Sequence, residues 1–503
     1  MEKRLVVAIA LSILVLITWS ALAPKSQLTE NKQVTDSMPV PKSAAPKEIS
    51  FTTKIDIPET PIVPVNYTNP NEELIFSEAT GALVEARFPK YKNHQFLLKN
   101  GLGLIGQFRK AGSAKDSLTF VATDLRQKIT KKLTFNNSNY SIELEVLIQN
   151  ITNSAQKVRL PVILGTLVYN PANPDANYQD LTIASADKTQ HLTPKKDLTF
   201  AELKFLGLRD RYFCIIIEPK SKGYSGYVRK LNNQEYEAGI ESEEVLLAPG
   251  EQIGHLFQVY LGPQSLRLIS AVKPDWTSVI HYGTFDFFAQ LIWQLLEFLH
   301  TLVKSWGLAI ILLSVVVYLL LFPLSLKQMR SMKEMQALQP KIEALRVQYK
   351  DNPQKMNKEV MELYREHKVN PLGGCLPLLL QMPIFFALYQ VLMRSVALRG
   401  TNFLWIKDLS EPDRLFVFSK SIPILGNEIN ILPVIMAIGM FVQQKISTGK
   451  ATGQAAEQQR MMLIIMPIMF GIIFYRMPSG LVLYWFINSA LMLVFQLRIN
   501  KAK

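Results

Sequence analysis

The chain has 503 residues, 48% of them hydrophobic and 19% charged, and carries a formal net charge of +14. A mean hydropathy of +0.12 is high for a soluble enzyme, and the length allows two to four domains. Cys214 and Cys375 lie far apart, and no Cys/His cluster has ligand spacing, which argues against a disulfide scaffold or a metal centre.

Residues 5–23, LVVAIALSILVLITWSALA, follow Glu2-Lys3-Arg4. A cleaved secretory signal and a retained transmembrane anchor both fit. The run is close to the ~20 residues that span a bilayer, and Pro24 sits badly after a scissile bond, so the anchor over 1–23 is favoured. Either way the following segment is exported. Residues 24–70, with prolines at 24, 39, 41, 46, 58, 61, 64 and 70, read as a disordered periplasmic linker.

Residues 71–280 change character. Short runs such as KKLTF (131–135), YSIELEVLI (140–148) and HLFQVYLGP (255–263) alternate with period two between Asn, Gly and Pro. They predict a large antiparallel β-sandwich. His94, His191 and His255 are scattered without a carboxylate pair or nucleophile and read as ordinary exposed or core histidines. Residues 281–304 carry Asp286, Gln290, Gln294 and Glu297 at helical spacing among aromatics. This predicts an amphipathic helix lying in an interface, with docking on the β domain as the alternative.

Apolar spans are expected at 306–326, 374–396, 431–445, 462–476 and 480–497, six with the anchor. The loop 327–371 carries ten basic residues from Lys327 to Lys368, and Lys450 and Arg460 mark the loop 446–461. The segment 397–430 balances four basic residues against four acids. The positive-inside rule then puts 327–371, both termini and 446–461 in the cytoplasm and the β domain outside. Within 327–371, apolar residues recur at three and four around a break at Asp351-Asn352-Pro353. A cytoplasmic helical hairpin is predicted, with Pro353 in the first turn of its second helix. Its charged faces, including Lys333, Lys341, Arg346, Lys355 and Lys358, suit an interaction role better than a spacer.

The span 374–396 contains Pro377, Gln381 and Pro383 and follows Asn370-Pro371 and Gly373-Gly374. Polar residues and irregular backbone inside a membrane face a bundle interior or a wet cavity. Ser314, Tyr318, Gln381, Tyr389, Tyr484, Trp485 and Asn488 are therefore candidate groove residues, with helix–helix hydrogen bonding as the bland alternative for each.

KMNKEVMELYREHKVNPLGGCLPLLLQMPIFFALYQVL (355–392), NFLWIKDLSEPD (402–413) and MPSGLVLYWFINS (477–489) resemble, in order, signature blocks of the YidC family of membrane protein insertases. FLGLRDRYFCIIIEP (205–219) is similar to a strand block in the periplasmic domain of its Gram-negative branch. The resemblance implies an inner-membrane insertase and chaperone with five core helices (305–503) around a hydrophilic groove. Its clients would be nascent membrane proteins, taken alone or with the Sec translocon, with ribosome contact at the hairpin and lipids around the bundle. It implies no enzyme activity, no cofactor and no sequence-specific nucleic acid. The sequence GxxxxGK[ST] of nucleotide-driven machines is indeed absent. One departure matters. The family typically has a groove arginine five residues before the proline ending the second span, and counting back from Pro323 gives Tyr318. A groove working by polarity rather than fixed charge is expected. A solute transporter and an anchored carbohydrate-binding or processing domain are the rival classes. The first is disfavoured because the spans show no internal repeat.

Overall fold

The computed structural model describes residues 63–169, 178–185, 188–350, 352–367, 369, 376–422, 426–447 and 453–501. The anchor 1–23, most of the linker, Cys375 and the Asn370–Gly374 lead into the third span lie outside the described residues.

Residues 64–263 form a two-sheet sandwich. One sheet has eight strands, in the order Pro64–Thr68, Glu73–Ser77, Leu83–Phe88, His94–Gly101, Pro161–Val168, Glu235–Ser242, Tyr224–Lys230 and Leu198–Phe200. The other has nine, in the order Thr189–Leu192, Asp180–Ser185, Leu203–Arg209, Phe213–Pro219, Gln252–Pro263, Ser141–Asn150, Gln127–Phe135, Ser117–Thr123 and Phe108–Ala114. Every strand pairing in these two sheets is antiparallel. Period two explains the register. In Ser141–Asn150 the residues Ile142, Leu144, Val146 and Ile148 point inward, and the residues between them are more open to solvent. Phe213–Ile217 are buried on both faces because Trp276 and Val279 cover the outer side of that sheet.

One feature departs from the sequence expectation and a second is not addressed by it. The linker ends earlier than residue 70: Val65 and Tyr67 alternate inward in an edge strand, where Pro64 costs no ladder bond. And Lys131 occupies an inward position of its strand, fully buried, donating to the carbonyls of Gly81 (2.5 Å) and Leu102 (2.6 Å). Burial pushes its ammonium down to about 7.

Helix α1 (Leu266–Val272) and short 3₁₀ turns lead to α2 (Asp286–Val303). Ala289, Ile292, Leu296 and Leu299 form its buried face. It packs on α3 (Trp306–Gln348) and α5 (Leu376–Arg394) rather than on the sandwich, with Trp293 stacked on Trp306. Phe287, Leu291, Phe298 and Leu302 stay exposed.

Helix α3 runs unbroken for 43 residues through Pro323 and Pro340, about 65 Å at the α-helical rise. A span and a separate hairpin helix were expected here. Proline removes one backbone bond, which a membrane helix tolerates when neighbouring groups compensate. Ser325 returns its hydroxyl to the Leu321 carbonyl at 3.1 Å. Helix α4 (Pro353–Glu366) turns back on α3. Asn352 caps it by accepting from the Lys355 amide, and Pro353 takes the first turn. Leu338, Ile342 and Val369 form a small core there with Val360, Leu363 and Tyr364.

After α5, a short hairpin of Phe416–Ile422 and Gly426–Ile429, not foreseen from sequence, precedes α6 (Ile431–Ser447), α7 (Gly453–Phe474) and α8 (Ser479–Lys501). Helix α8 packs on α3, α5 and α6, and α6 on α7. Among the described residues, Trp306–Pro323 and Ser479–Arg498 are long and apolar enough to cross a bilayer, and Ile431–Ile446 and Leu463–Phe474 are shorter apolar stretches.

Candidate functional site in the helical bundle

Four of the seven groove candidates are polar groups set into apolar helices, and no hydrogen bond or ion pair joins them to a carboxylate or cation among the described residues. Gln381 on α5 donates from Nε2 to Tyr484 Oη on α8 at 3.1 Å. Asn488, one turn later on the same face of α8, donates to the Tyr484 carbonyl at 3.0 Å. The Tyr484 side chain is fully buried, whereas Gln381 and Asn488 are half-buried. On α3, Tyr318 is half-buried, and its hydroxyl is shielded from solvent without a hydrogen-bond partner among the described residues. Leaving a hydroxyl in that state costs about 1–3 kcal/mol, so the position holds unused hydrogen-bonding capacity. Its neighbours Leu319 and Leu320 are exposed, which sets Tyr318 where the bundle meets its apolar outer face.

The other three candidates do something else. Ser314 is fully buried and its hydroxyl is engaged by the Ile310 carbonyl of its own helix at 2.8 Å. Trp485 sits in an aromatic cluster: 5.5 Å from Phe470, 5.3 Å from Phe474 and edge-on to Phe385 at 5.4 Å. It locks α5, α7 and α8 together. Tyr389 lies five residues from the end of α5 and hydrogen-bonds Tyr178 of the sandwich. Its place is the seam between the two regions.

The hairpin cations are partly engaged locally. Lys341 Nζ lies 3.1 Å from His367 Nε2, Lys355 is 5.0 Å over the Tyr349 ring, and Lys358 faces Glu362 at 4.0 Å. Arg346 is half-buried, and the Lys333 side chain lies outside the described ones. These exposed pairs add little stability and leave the charge available to solvent.

Sequence reasoning missed a charged cluster at the seam. Arg209 is fully buried and forms a bidentate pair with Asp180 at 2.6 and 2.7 Å. It also donates to the carbonyls of Val279 and His281, fixing the connector into α2. Burial pushes the Asp180 carboxyl up, but the Arg209 charge and bonds from His281 and Arg209 outweigh it and hold the group well below the usual carboxylate range. The histidines treated as unremarkable have partners: the His191 ring lies tilted against the His281 ring with centroids 3.6 Å apart, His94 meets Asp210 at 3.3 Å, and His255 meets Tyr224 at 2.6 Å. The signal that could have flagged the cluster was Arg209-Asp210-Arg211, three consecutive charges inside a strongly apolar strand block.

A family model described as 60Kd inner membrane protein matches residues 298–503, and one for the YidC periplasmic domain matches 105–295. The membrane protein insertase YidC of Geotalea daltonii is 30% identical over an alignment covering 100% of this chain and 99% of that protein. Its counterpart from Syntrophobacter fumaroxidans is 34% identical over 74% of this chain and 68% of that protein. That of Pelobacter propionicus is 33% identical over 78% and 72%. With both regions matched in order and a relative aligned end to end, the chain belongs to the YidC family of membrane protein insertases, inner-membrane proteins with a periplasmic domain.

Proposed function

We propose that the protein inserts nascent membrane proteins by giving the polar flank of a client segment a part-hydrated path along α3, α5 and α8. The observation that carries this reading is the Tyr318 hydroxyl, buried yet unpaired among the described residues, in a bundle that also holds the Gln381–Tyr484–Asn488 ladder. A charge at the bilayer centre costs about 2.5–3.5 kcal/mol on insertion scales. Polar groups reaching part-way shorten that crossing and lower its barrier. Burial of the client's apolar surface, near 25 cal/mol per Å², drives the process without nucleotide, cofactor or metal. Tyr318, in place of the family's arginine, makes the path one of polarity, so it favours polar flanks irrespective of their sign.

The topology that serves this function has six spans: the N-terminal anchor, the first half of α3, and α5 to α8. Both termini and the α3–α4 hairpin are cytoplasmic, and the sandwich, from its first strand at Pro64 to about residue 280, is periplasmic. The balance of basic residues between loops supports this arrangement. Helix α2 lies in the outer interface with Phe287, Leu291, Phe298 and Leu302 toward lipid. The hairpin, through Lys333, Lys341, Arg346, Lys355 and Lys358, is the contact for a ribosome, and the bundle works alone or beside the Sec translocon. The test is photo-crosslinking in membranes. A probe at position 318 or 488 should capture a ribosome-stalled single-span client, and a probe at the exposed sandwich position 125 should not. Capture from neither bundle position overturns the route.

A further inference from the structure

The block Phe205–Pro219 plays no part in the groove, yet its turn reaches out of the sandwich. Asp210 shapes that turn by accepting from the amides of Tyr212 and Phe213, both at 2.7 Å. Arg211 is thereby presented outward. Its Nε donates to the Met393 carbonyl at 2.7 Å and a terminal nitrogen donates to the Ser410 carbonyl at 3.3 Å. Its guanidinium also lies 5.4 Å over the Tyr178 ring and 4.8 Å over Tyr212.

The two carbonyls are informative. Met393 is in the last turn of α5, where carbonyls lack helical partners and the helix dipole is negative. Ser410 belongs to the segment that caps α8: Leu409 and Glu411 carbonyls accept from the amides of Gly480 and Ser479, and the Asp408 carbonyl accepts the Ser479 hydroxyl. One side chain of the sandwich therefore ties the outer end of α5 to the outer start of α8. These are the helices that carry Gln381 and Tyr484. Arg394 reinforces the seam from α5, donating to the His281 carbonyl at 3.4 Å and lying 5.4 Å from the Tyr178 ring. Lys92 reaches Asp408 at 3.3 Å.

We propose that Arg211 is a positioning residue for insertion. It splints α5 against α8 so that Gln381 and Tyr484 stay in contact, and the sandwich acts as a brace rather than a loose appendage. Only the flat, forked guanidinium can span two carbonyls while stacking on tyrosine; an ammonium cannot. The idea rests on the polar-path reading, so its test must separate the two.

The full-length protein in proteoliposomes, as Arg211→Lys and Arg211→Ala, is assayed with two single-span clients differing only in a polar or an apolar translocated flank. Spin labels at positions 125 and 472 report the distance between sandwich and bundle. The wild type should give one narrow distance. Arg211→Ala should broaden it, and both variants should lower insertion of the polar-flank client about 3- to 10-fold, the span of one ordinary net hydrogen bond, here the Gln381–Tyr484 contact that the splint keeps in place. The apolar-flank client should be unaffected, which general misfolding would not spare. Lys204→Ala, which cuts an exposed pair with Asp275, should change neither readout. Wild-type insertion of the polar-flank client by Arg211→Lys overturns the proposal even if the alanine variant fails to fold. An unchanged distance in a folded alanine variant overturns it too. Equal loss for both clients would leave a brace without selectivity and would refute the link to Gln381 and Tyr484. Failure of crosslinking from 318 and 488 with the Arg211 effect intact would instead fault the polar path.

Discussion

Tyr318→Phe separates a polar path from ordinary packing because it pushes stability and activity in opposite directions. The substitution removes one oxygen and keeps the ring, which lies 6.1 Å from Phe322 in a contact that should survive. The hydroxyl has no partner among the described residues, so its removal relieves a desolvation cost of about 1–3 kcal/mol. The melting temperature should hold or rise. On the polar path proposed above, the same hydroxyl would meet a client's polar flank or its water during insertion. Losing one such bond, worth about 0.5–1.5 kcal/mol, should slow insertion about 2- to 10-fold. The assay is nucleotide-free insertion into proteoliposomes of a client with a short charged translocated tail, scored by protease protection, beside a thermal scan of the same preparation. A variant that melts lower while inserting at the wild-type rate would refute the reasoning, since the hydroxyl would then be a structural group.

Arg209→Ala leaves Asp180 buried beside no matching charge and should cost about 3–5 kcal/mol, lowering the sandwich melting temperature by about 10 °C for a domain of this size; circular dichroism on the full chain reads it. Gly307→Ala puts a Cβ into the ring of Phe403, so overpacking of about 1–3 kcal/mol is expected at the start of α3, seen as a lower melting point and faster proteolysis of the 397–430 segment. Lys131 is held near 7 by burial while the unfolded chain keeps an ordinary lysine value. Between about pH 7 and 10.5 the unfolded state binds the extra proton, so this residue makes stability rise with pH, by at most about 1.4 kcal/mol per unit. A denaturation series at pH 7, 8 and 9 should show that slope in the wild type and a shallower one in Lys131→Met.

The sandwich was legible because its strands bury one face. Ile142, Leu144, Val146 and Ile148 can be read as an inward row directly from the alternation. The same rule puts Lys131 on the inward side with Leu133 and Phe135 but does not say that it is met there by the Gly81 and Leu102 carbonyls, since alternation records which side a residue faces and not what it finds on that side. The Asn352 cap was legible for a local reason: the residue that accepts and the amide that donates are three positions apart. Helix α3 was not, because Pro323 marks a missing hydrogen bond, and whether a helix ends there depends on neighbours the local sequence does not specify.

The groove candidates divide along the same line. Each was singled out as a polar or aromatic residue in an apolar run, which identifies a need for partners without naming them. Ser314 meets that need within its own turn, Trp485 by packing against three rings, and Tyr389 across the seam on Tyr178. Gln381 and Tyr484, separated by 103 positions, meet it in each other. Of these seven candidates, only Tyr318 has a buried side-chain oxygen with no hydrogen-bond partner among the described residues. A buried polar group unpaired at rest is costly for a resting structure and useful to one whose partner arrives with the client. The remaining distant partnership, Arg211 with the carbonyls of Met393 and Ser410, is what keeps that arrangement from depending on the helices alone. Helices in lipid gain no hydrophobic drive from packing on one another. A brace anchored in a water-soluble sandwich supplies a constraint the bilayer does not, and it acts at the ends of the two helices whose polar residues must stay in register.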